Sequence, residues 1–330
     1  MALDLVNKIK YSFIFILLAN GCFAQSIDSL SLKMKGSANL DLIDSISIFA
    51  LIDSVVQLTE TFGSGSTLVT RFGYNSNVAS ANQVLGLSQF GLSPGISYYH
   101  KSGLYLDATT YWSQEYSPSL YLTVGSAGYL KTLKKWTFNL EYSRYFYSFS
   151  DSAYNSPYTN TVGISNFIDV KPFLFRLDYY HYFGEKNANR IMPSVMLNLE
   201  KRNWLGLSRV LLYPTFSVLI GNESWQNDQY IPYTTKLSEI IARIDRHQPL
   251  YYLKTDHENK AGFLNYSISL PLSLSLKNYT FQLSYTYNFV QQLAGEPINL
   301  NNNGYLSLAF IRYFNFKSHG GLIDFYKLLK

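Results

Sequence analysis

From Leu264 to Leu276 the side chains alternate without a break. Leu264, Tyr266, Ile268, Leu270, Leu272, Leu274 and Leu276 fall on one face of an extended chain. Asn265, Ser267, Ser269, Pro271, Ser273 and Ser275 fall on the other. Successive side chains of a strand point to opposite faces, so this segment has one apolar and one polar side. An ordinary strand has about 5–6 residues and rarely keeps such a pattern this long. A tilted strand crossing a bilayer needs ~9–11 residues, with its apolar side toward lipid. The next segment repeats the pattern. Tyr279, Phe281, Leu283, Tyr285, Tyr287 and Phe289 oppose Thr280, Gln282, Ser284, Thr286 and Asn288, and Lys277-Asn278 between the two segments is a tight turn.

Composition fits strands in lipid better than a soluble domain. Charged residues are 15% of the 330 and hydrophobic residues 47%, against roughly 25% charged in soluble domains. No stretch after residue 25 has the ~20 apolar residues of a spanning helix. A single Cys excludes a disulfide framework and a Cys-rich metal site. A formal charge of +5, thinly spread, is no nucleic-acid footprint.

Period-two reading of the whole chain gives twelve segments, at 67–75, 94–100, 104–114, 118–131, 135–148, 157–170, 172–184, 190–202, 207–221, 261–276, 279–292 and 304–316. The connections alternate in length. Short ones lie at 101–103, 133–134, 171, 203–206 and 277–278, and longer ones at 76–93, 115–117, 149–156, 185–189, 222–260 and 293–303. An open sheet edge in lipid would leave backbone groups unpaired, so the sheet has to close. The expected fold is all-β: a closed antiparallel transmembrane β-barrel of twelve strands over 67–316. Such a pattern resembles bacterial outer-membrane barrels of the small-porin size class. That resemblance implies short periplasmic turns, longer external loops, both termini in the periplasm and a Gram-negative outer membrane as the location.

The N-terminus reads as an address. Lys8 and Lys10 precede an apolar run from Tyr11 to Leu18, and small residues lead to Cys22-Phe23-Ala24-Gln25. This is the layout of a secretory signal peptide over 1–24, with lipidation of Cys22 as the alternative to cleavage after Ala24. The Phe-Ala-Gln ending resembles signal peptides of Bacteroidetes-type bacteria. Residues 25–66 form an N-terminal periplasmic segment. In it Ile43, Ile46, Phe49, Ile52 and Val56 recur at helical spacing, which predicts an amphipathic helix over 41–61. Residues 317–330 are a C-terminal tail.

Alternation also sorts the charged residues. Arg71, Asp107, Glu141, Asp169, Arg176, Asp178 and Glu200 fall on the polar faces of their strands, most of them close to a short turn. They are the candidates for a charged belt lining the lumen, either as a selectivity constriction or as a paired network that fills it. Trp112, Trp136 and Trp204 lie near strand ends, as interface anchors do. Loop 222–260 carries Trp225, Tyr230, Tyr233, Tyr251 and Tyr252, and a helical stretch over 235–244. Loops of this length are functional or disordered.

Catalytic chemistry is not legible. His100, His181, His247, His257 and His319 form no spaced metal pair. His100-Lys101-Ser102 has the His-x-Ser spacing of lipid A deacylases, but it falls at a short turn on the wrong side of the membrane. No nucleophile–base constellation stands out. The expectation is a non-enzyme without metal or cofactor. It would be a passive channel for small polar solutes or ions in outer-membrane lipid, or else a closed structural or adhesion barrel acting through its external loops (222–260), with an outer-membrane lipid-active enzyme as the third reading. The protein partner of the N-terminal helix or of loop 222–260 stays open, and no nucleic acid is involved.

Overall fold

The computed structural model describes residues 65–76, 91–114, 117–148, 158–291 and 302–316, with backbone alone at 223–230 and 253–260. The expected signal peptide, the helix over 41–61 and the tail 317–330 lie outside the described residues.

The strands are β1 (Ser66–Asn75), β2 (Gly91–Tyr99), β3 (Leu104–Trp112), β4 (Leu120–Leu133), β5 (Trp136–Tyr147), β6 (Tyr158–Val170) and β7 (Phe173–Gly184). They continue as β8 (Ala188–Leu197), β9 (Leu199–Trp204), β10 (Leu207–Leu212), β11 (Thr215–Pro232), β12 (Tyr251–Leu276), β13 (Tyr279–Val290) and β14 (Asn303–Phe316). Among the described residues one helix, α1 (Leu237–Asp245), follows β11. Each strand pairs antiparallel with its neighbours, and β1 pairs with β14 from Ser66↔Phe316 to Asn75↔Ser307. The sheet therefore closes, which leaves no edge to be satisfied in lipid.

Fourteen strands make twelve crossings, because two crossings are interrupted. β8 and β9 are one crossing broken at Asn198, and β10 and β11 are one crossing broken at Tyr213-Pro214. Proline has no N–H for the ladder, which is the physical reason for the second break. Bonds carry on around it: Tyr213 N–H donates to the Pro271 carbonyl at 3.1 Å, and Leu197 N–H to the Pro214 carbonyl at 3.0 Å.

Five short turns lie at one end of the barrel, together with the start of β1 and the end of β14. Lys134, Leu205, Gly206 and Lys277 in these turns have positive φ. Positive φ is what two-residue hairpins with the native twist require. At Gly103, φ is +96° and an added Cβ would come within 2.3 Å of the Leu130 carbonyl oxygen, so only glycine fits.

Two boundaries differ from the sequence reading. β2 begins at Gly91, where the strand was expected from 94. Residues 222–260 are not an irregular loop: β11 and β12 stay paired out to Pro232↔Tyr251. Neighbouring support ends much earlier, at Gly221↔Arg190 on one side and Asn265↔Val290 on the other. The pair thus continues as a two-stranded arm of roughly 35 Å, at ~3.4 Å per residue, with no third strand paired to it among the described residues. α1 sits at its tip with no buried residue.

Alternation becomes inside and outside. Leu106, Leu140, Leu177, Phe216, Ile268, Leu270 and Phe310 turn outward and are all about half exposed. Their strand neighbours Asp107, Asn139, Asp178, Ser217, Ser267, Ser269 and Ile311 turn inward and are largely buried. A continuous exposed apolar band is far larger than water-soluble surfaces carry, and it is the lipid-facing surface of a membrane-spanning barrel.

Candidate functional site: the lumen

The inward side chains form two unlike walls. Along β12 and β13, and at Asn303 and Ser307 of β14 and Asn75 of β1, they are small and hydroxylated or amidic, whereas toward the short turns β1 and β14 point Val69, Ile311 and Tyr313 inward. Asn265 donates to Asn288 at 2.9 Å and Asn288 to Asn303 at 2.9 Å, a ladder of amides across three strands. Below it Ser269 meets Thr286 at 2.9 Å and Ser275 meets Thr280 at 3.0 Å, and Ser307 donates to Asn75 at 2.6 Å. These are cross-strand pairs, set by the registers Ser269↔Thr286, Ser275↔Thr280 and Asn75↔Ser307.

Against this wall lies a pocket with about 690 Å³ of empty space, partly open to solvent, lined by Arg71, Asn75, Thr109, Gln282, Ser284, Thr286 and Ser307 among others. Gly73 and Ala309, paired across β1 and β14, leave the space free by having almost no side chain. Gln282 and Ser284 are buried, and the Gln282 amide nitrogen and Ser284 hydroxyl have no hydrogen-bond partner among the described residues. A buried polar group left without a partner costs ~1–3 kcal/mol, so these two atoms are sites for water or a solute hydroxyl.

Elsewhere the interior is bulkier, on β3 to β8 and, toward the short turns, on β1, β2, β10 and β14 as well. Tyr111, Tyr121 and Leu122 cluster toward the end away from the short turns, as do Tyr158, Tyr182 and Ala188. Toward the short turns, Phe167, Met196, Leu211 and Tyr213 form one apolar cluster; Val69, Tyr99, Tyr105, Ile311 and Tyr313 form another. Leu130 packs against both. Val69, Met196, Ile311 and Tyr313 are at most 2% exposed although they point at the barrel axis. Inward side chains, rather than water, therefore fill most of the lumen at this level. Gly128 and Gly163 make room for the rings: a Cβ there would lie 2.4 Å from the Tyr105 ring and 2.3 Å from the Tyr180 ring.

All seven candidate lumen charges point inward, in the half nearer the short turns, but they do not form one ring. Arg71 and Asp107 make a two-pronged pair, Nη1 to Oδ1 at 2.6 Å and Nη2 to Oδ2 at 2.7 Å, held by Ser97 and Thr109. Two parallel bonds fix both planes and are the strong form of this contact. Arg176 and Asp178 pair at 2.7 Å, fully buried, with the guanidinium 5.3 Å from the Phe167 ring centre. Glu141 accepts from the Tyr105 hydroxyl and from Ser143 at 3.0 Å. Glu200 faces Arg202 at 2.5 Å and Arg209 at 3.2 Å. Asp169 lies one residue before the end of β6, and its Oδ1 is buried without a hydrogen-bond partner among the described residues.

Among the described residues three arginines on inward faces escaped the sequence reading: Arg202 beside Glu200, Arg209 and Arg190. Arg209 sits in Leu207–Leu212, where both faces are apolar and alternation gives no sign. Arg190 is buried near the other end and donates to the carbonyls of Asn189 at 3.1 Å and Asn222 at 2.5 Å. It lay at the first residue of the expected segment, where the face is hardest to assign.

On the outside, Trp136 and Trp204 are exposed beside the short turns, at 43% and 42%, and Trp112 ends β3 on the outward face at the other rim. Trp136 Nε1 donates to Asn166 at 3.2 Å, and Lys201 lies 5.0 Å from the Trp204 ring centre. His181 faces outward, stacked on Phe183 and hydrogen-bonded to Asn189 at 2.9 Å. His100 and Ser102 do meet, at 2.8 Å, but as an exposed turn contact in which Ser102 and Leu104 backbone N–H groups also take part. Among the described residues no three His, Cys, Asp or Glu side chains gather as a metal site would need.

Neither a protein-family model nor a curated protein sequence matches this chain. Among solved structures it is similar to the KdgM porin, with TM-score 0.41 and 10% identity over 75% of this chain and 99% of that one. It is also similar to an outer membrane channel from Pseudomonas putida F1, with TM-score 0.39 and 11% identity over 76% and 96%. The translocator domain of autotransporter NalP from Neisseria meningitidis gives 0.33 and 10% over 84% and 99%. Likeness at this level assigns neither a family nor an activity.

Proposed function

We propose that the chain is a bacterial outer-membrane barrel acting as a narrow passive channel for small polar solutes or ions, and not as an enzyme. The observation that carries this reading is the polar wall of β12, β13, β14 and β1. A barrel that only had to be stable would fill its interior, whereas this wall uses small hydroxyls and amides and leaves a pocket beside them. Arg71 and Asp107 border that pocket and are the residues placed to set ion preference. Trp112, Trp136 and Trp204 anchor the two interfaces with outer-membrane lipid, and the short turns and both ends of the chain face the periplasm. Single-channel recording of the purified, refolded barrel in a planar bilayer tests the proposal. Steady, reproducible steps support it, and silence from protein shown on gels to be heat-modifiable and folded overturns it.

A second reading is favoured by the packed side chains toward the short turns. If that layer never opens, the barrel is a closed scaffold and works through its external arm. The same recording separates the two.

A further inference from the structure

We propose that the short-turn rim is a binding collar for anionic phospholipid headgroups. Every short turn brings a cation to this rim. Lys101 is in the β2–β3 turn, Lys134 and Lys135 join β4 to β5, and Lys171 lies between β6 and β7. Lys201 precedes the β9–β10 turn, and Lys277 joins β12 to β13. All of these side chains are exposed. Acidic residues of this half, by contrast, turn into the lumen: Asp107, Glu141, Asp169, Asp178 and Glu200 all sit on inward faces. Among the described residues no carboxylate stands on the outer surface of the rim to neutralise the lysines.

The collar lies at the edge of the lipid-facing band, and its aromatic neighbours are those of an interface. Lys201 packs over Trp204, and Arg312, exposed on the outer face, lies 5.4 Å and 4.5 Å from the ring centres of Tyr279 and Phe314. Long basic side chains lay their stems on apolar surface and hold their charge at headgroup depth. Rings at that depth fix the level of the barrel in the bilayer. Positive charge, aromatic anchors and absence of outward acid match lipid phosphates in the adjoining leaflet. A basic residue near such a surface changes lipid preference by about fivefold.

The test uses tryptophan fluorescence of the full mature chain folded into vesicles. With Trp112 and Trp225 changed to Phe, Trp136 and Trp204 beside the collar report local lipid. Nitroxide-labelled phosphatidylglycerol should quench them about fivefold more effectively, per mole, than labelled phosphatidylcholine. Half-molar salt should remove most of the difference, since exposed charges are screened within ~5 Å at that strength. K134Q, K135Q, K171Q and K277Q combined should also remove it. Equal quenching by both lipids overturns the proposal, as does a preference that survives either the salt or the four substitutions. The salt arm needs no variant to fold, and none of the arms depends on conductance.

Discussion

Beyond the packed layer of Val69, Ile311 and Tyr313, the wall of β12, β13, β14 and β1 presents mainly Ser, Thr, Asn and Gln to the lumen, whereas the facing wall of β3 to β8 adds tyrosines, Met196 and the Arg176–Asp178 pair to its Ser and Thr. Both walls are sheets with an apolar outer face, and lipid makes the same demand on each. Inside, the demands differ. Small hydroxyls satisfy one another in cross-strand pairs and leave space, while rings and paired charges consume it. The hollow part of this barrel is therefore set by side-chain volume on one wall and not by strand number alone.

The sharpest way to break the comparison is to remove one charge from the filled wall. Arg176→Leu would leave Asp178 buried without its 2.7 Å partner. Breaking a buried pair by deleting one member costs about 3–5 kcal/mol. Ser269→Ala on the hydroxyl wall removes one neutral hydrogen bond, worth about 1 kcal/mol. Urea unfolding in lipid vesicles should show this ranking. Equal losses would mean that the two walls are not differently packed.

How much of this was legible in the sequence follows from what each face meets. β12 and β13 were readable residue by residue, because lipid on one side and polar partners on the other enforce strict alternation. The inward placement of Arg71 and Asp107 was readable too, but not their pairing, since they are 36 residues apart on β1 and β3 and meet only through β2. Arg209 was hidden because its strand carries leucines and valine on both faces: Leu211 joins the interior cluster while Val210 faces out. The arm was hidden for the opposite reason. Backbone pairing extends through Glu223–Tyr230, and the residues there carry no apolar alternation.

A second prediction concerns the packed layer. Met196→Ala together with Tyr313→Ala removes two buried side chains from the two clusters that Leu130 joins. Single-channel steps should grow several-fold if this layer limits passage, as constrictions of a pore do. Unchanged steps would move the constriction elsewhere and weaken the link between the packed layer and the narrow path.

Asp107→Asn should act more gently and on selectivity. It removes the charge that holds Arg71 at 2.6 and 2.7 Å, which leaves a cation bordering the pocket. The reversal potential in a salt gradient should move toward anion preference by a few-fold in permeability ratio, with step size nearly constant. An unchanged reversal potential would show that ions do not pass Arg71, and the polar wall would lose its role as a path.

The smallest effect is expected from the arm. Replacing 226–257 by a two-residue Asn-Gly hairpin turn removes most of the length of β11 and β12 beyond their ladder neighbours, together with α1. Ladder support from β8 and β13 ends at Gly221 and Asn265, and α1 buries nothing, so unfolding in urea should shift by no more than a few tenths of a kcal/mol. Step size should also stay the same, because the pocket and both apolar clusters draw their residues from below that point. A clear rise in conductance would show that the arm folds back over the mouth of the barrel. The contrast between the walls would then be only half of what controls passage, and the external end would hold the other half.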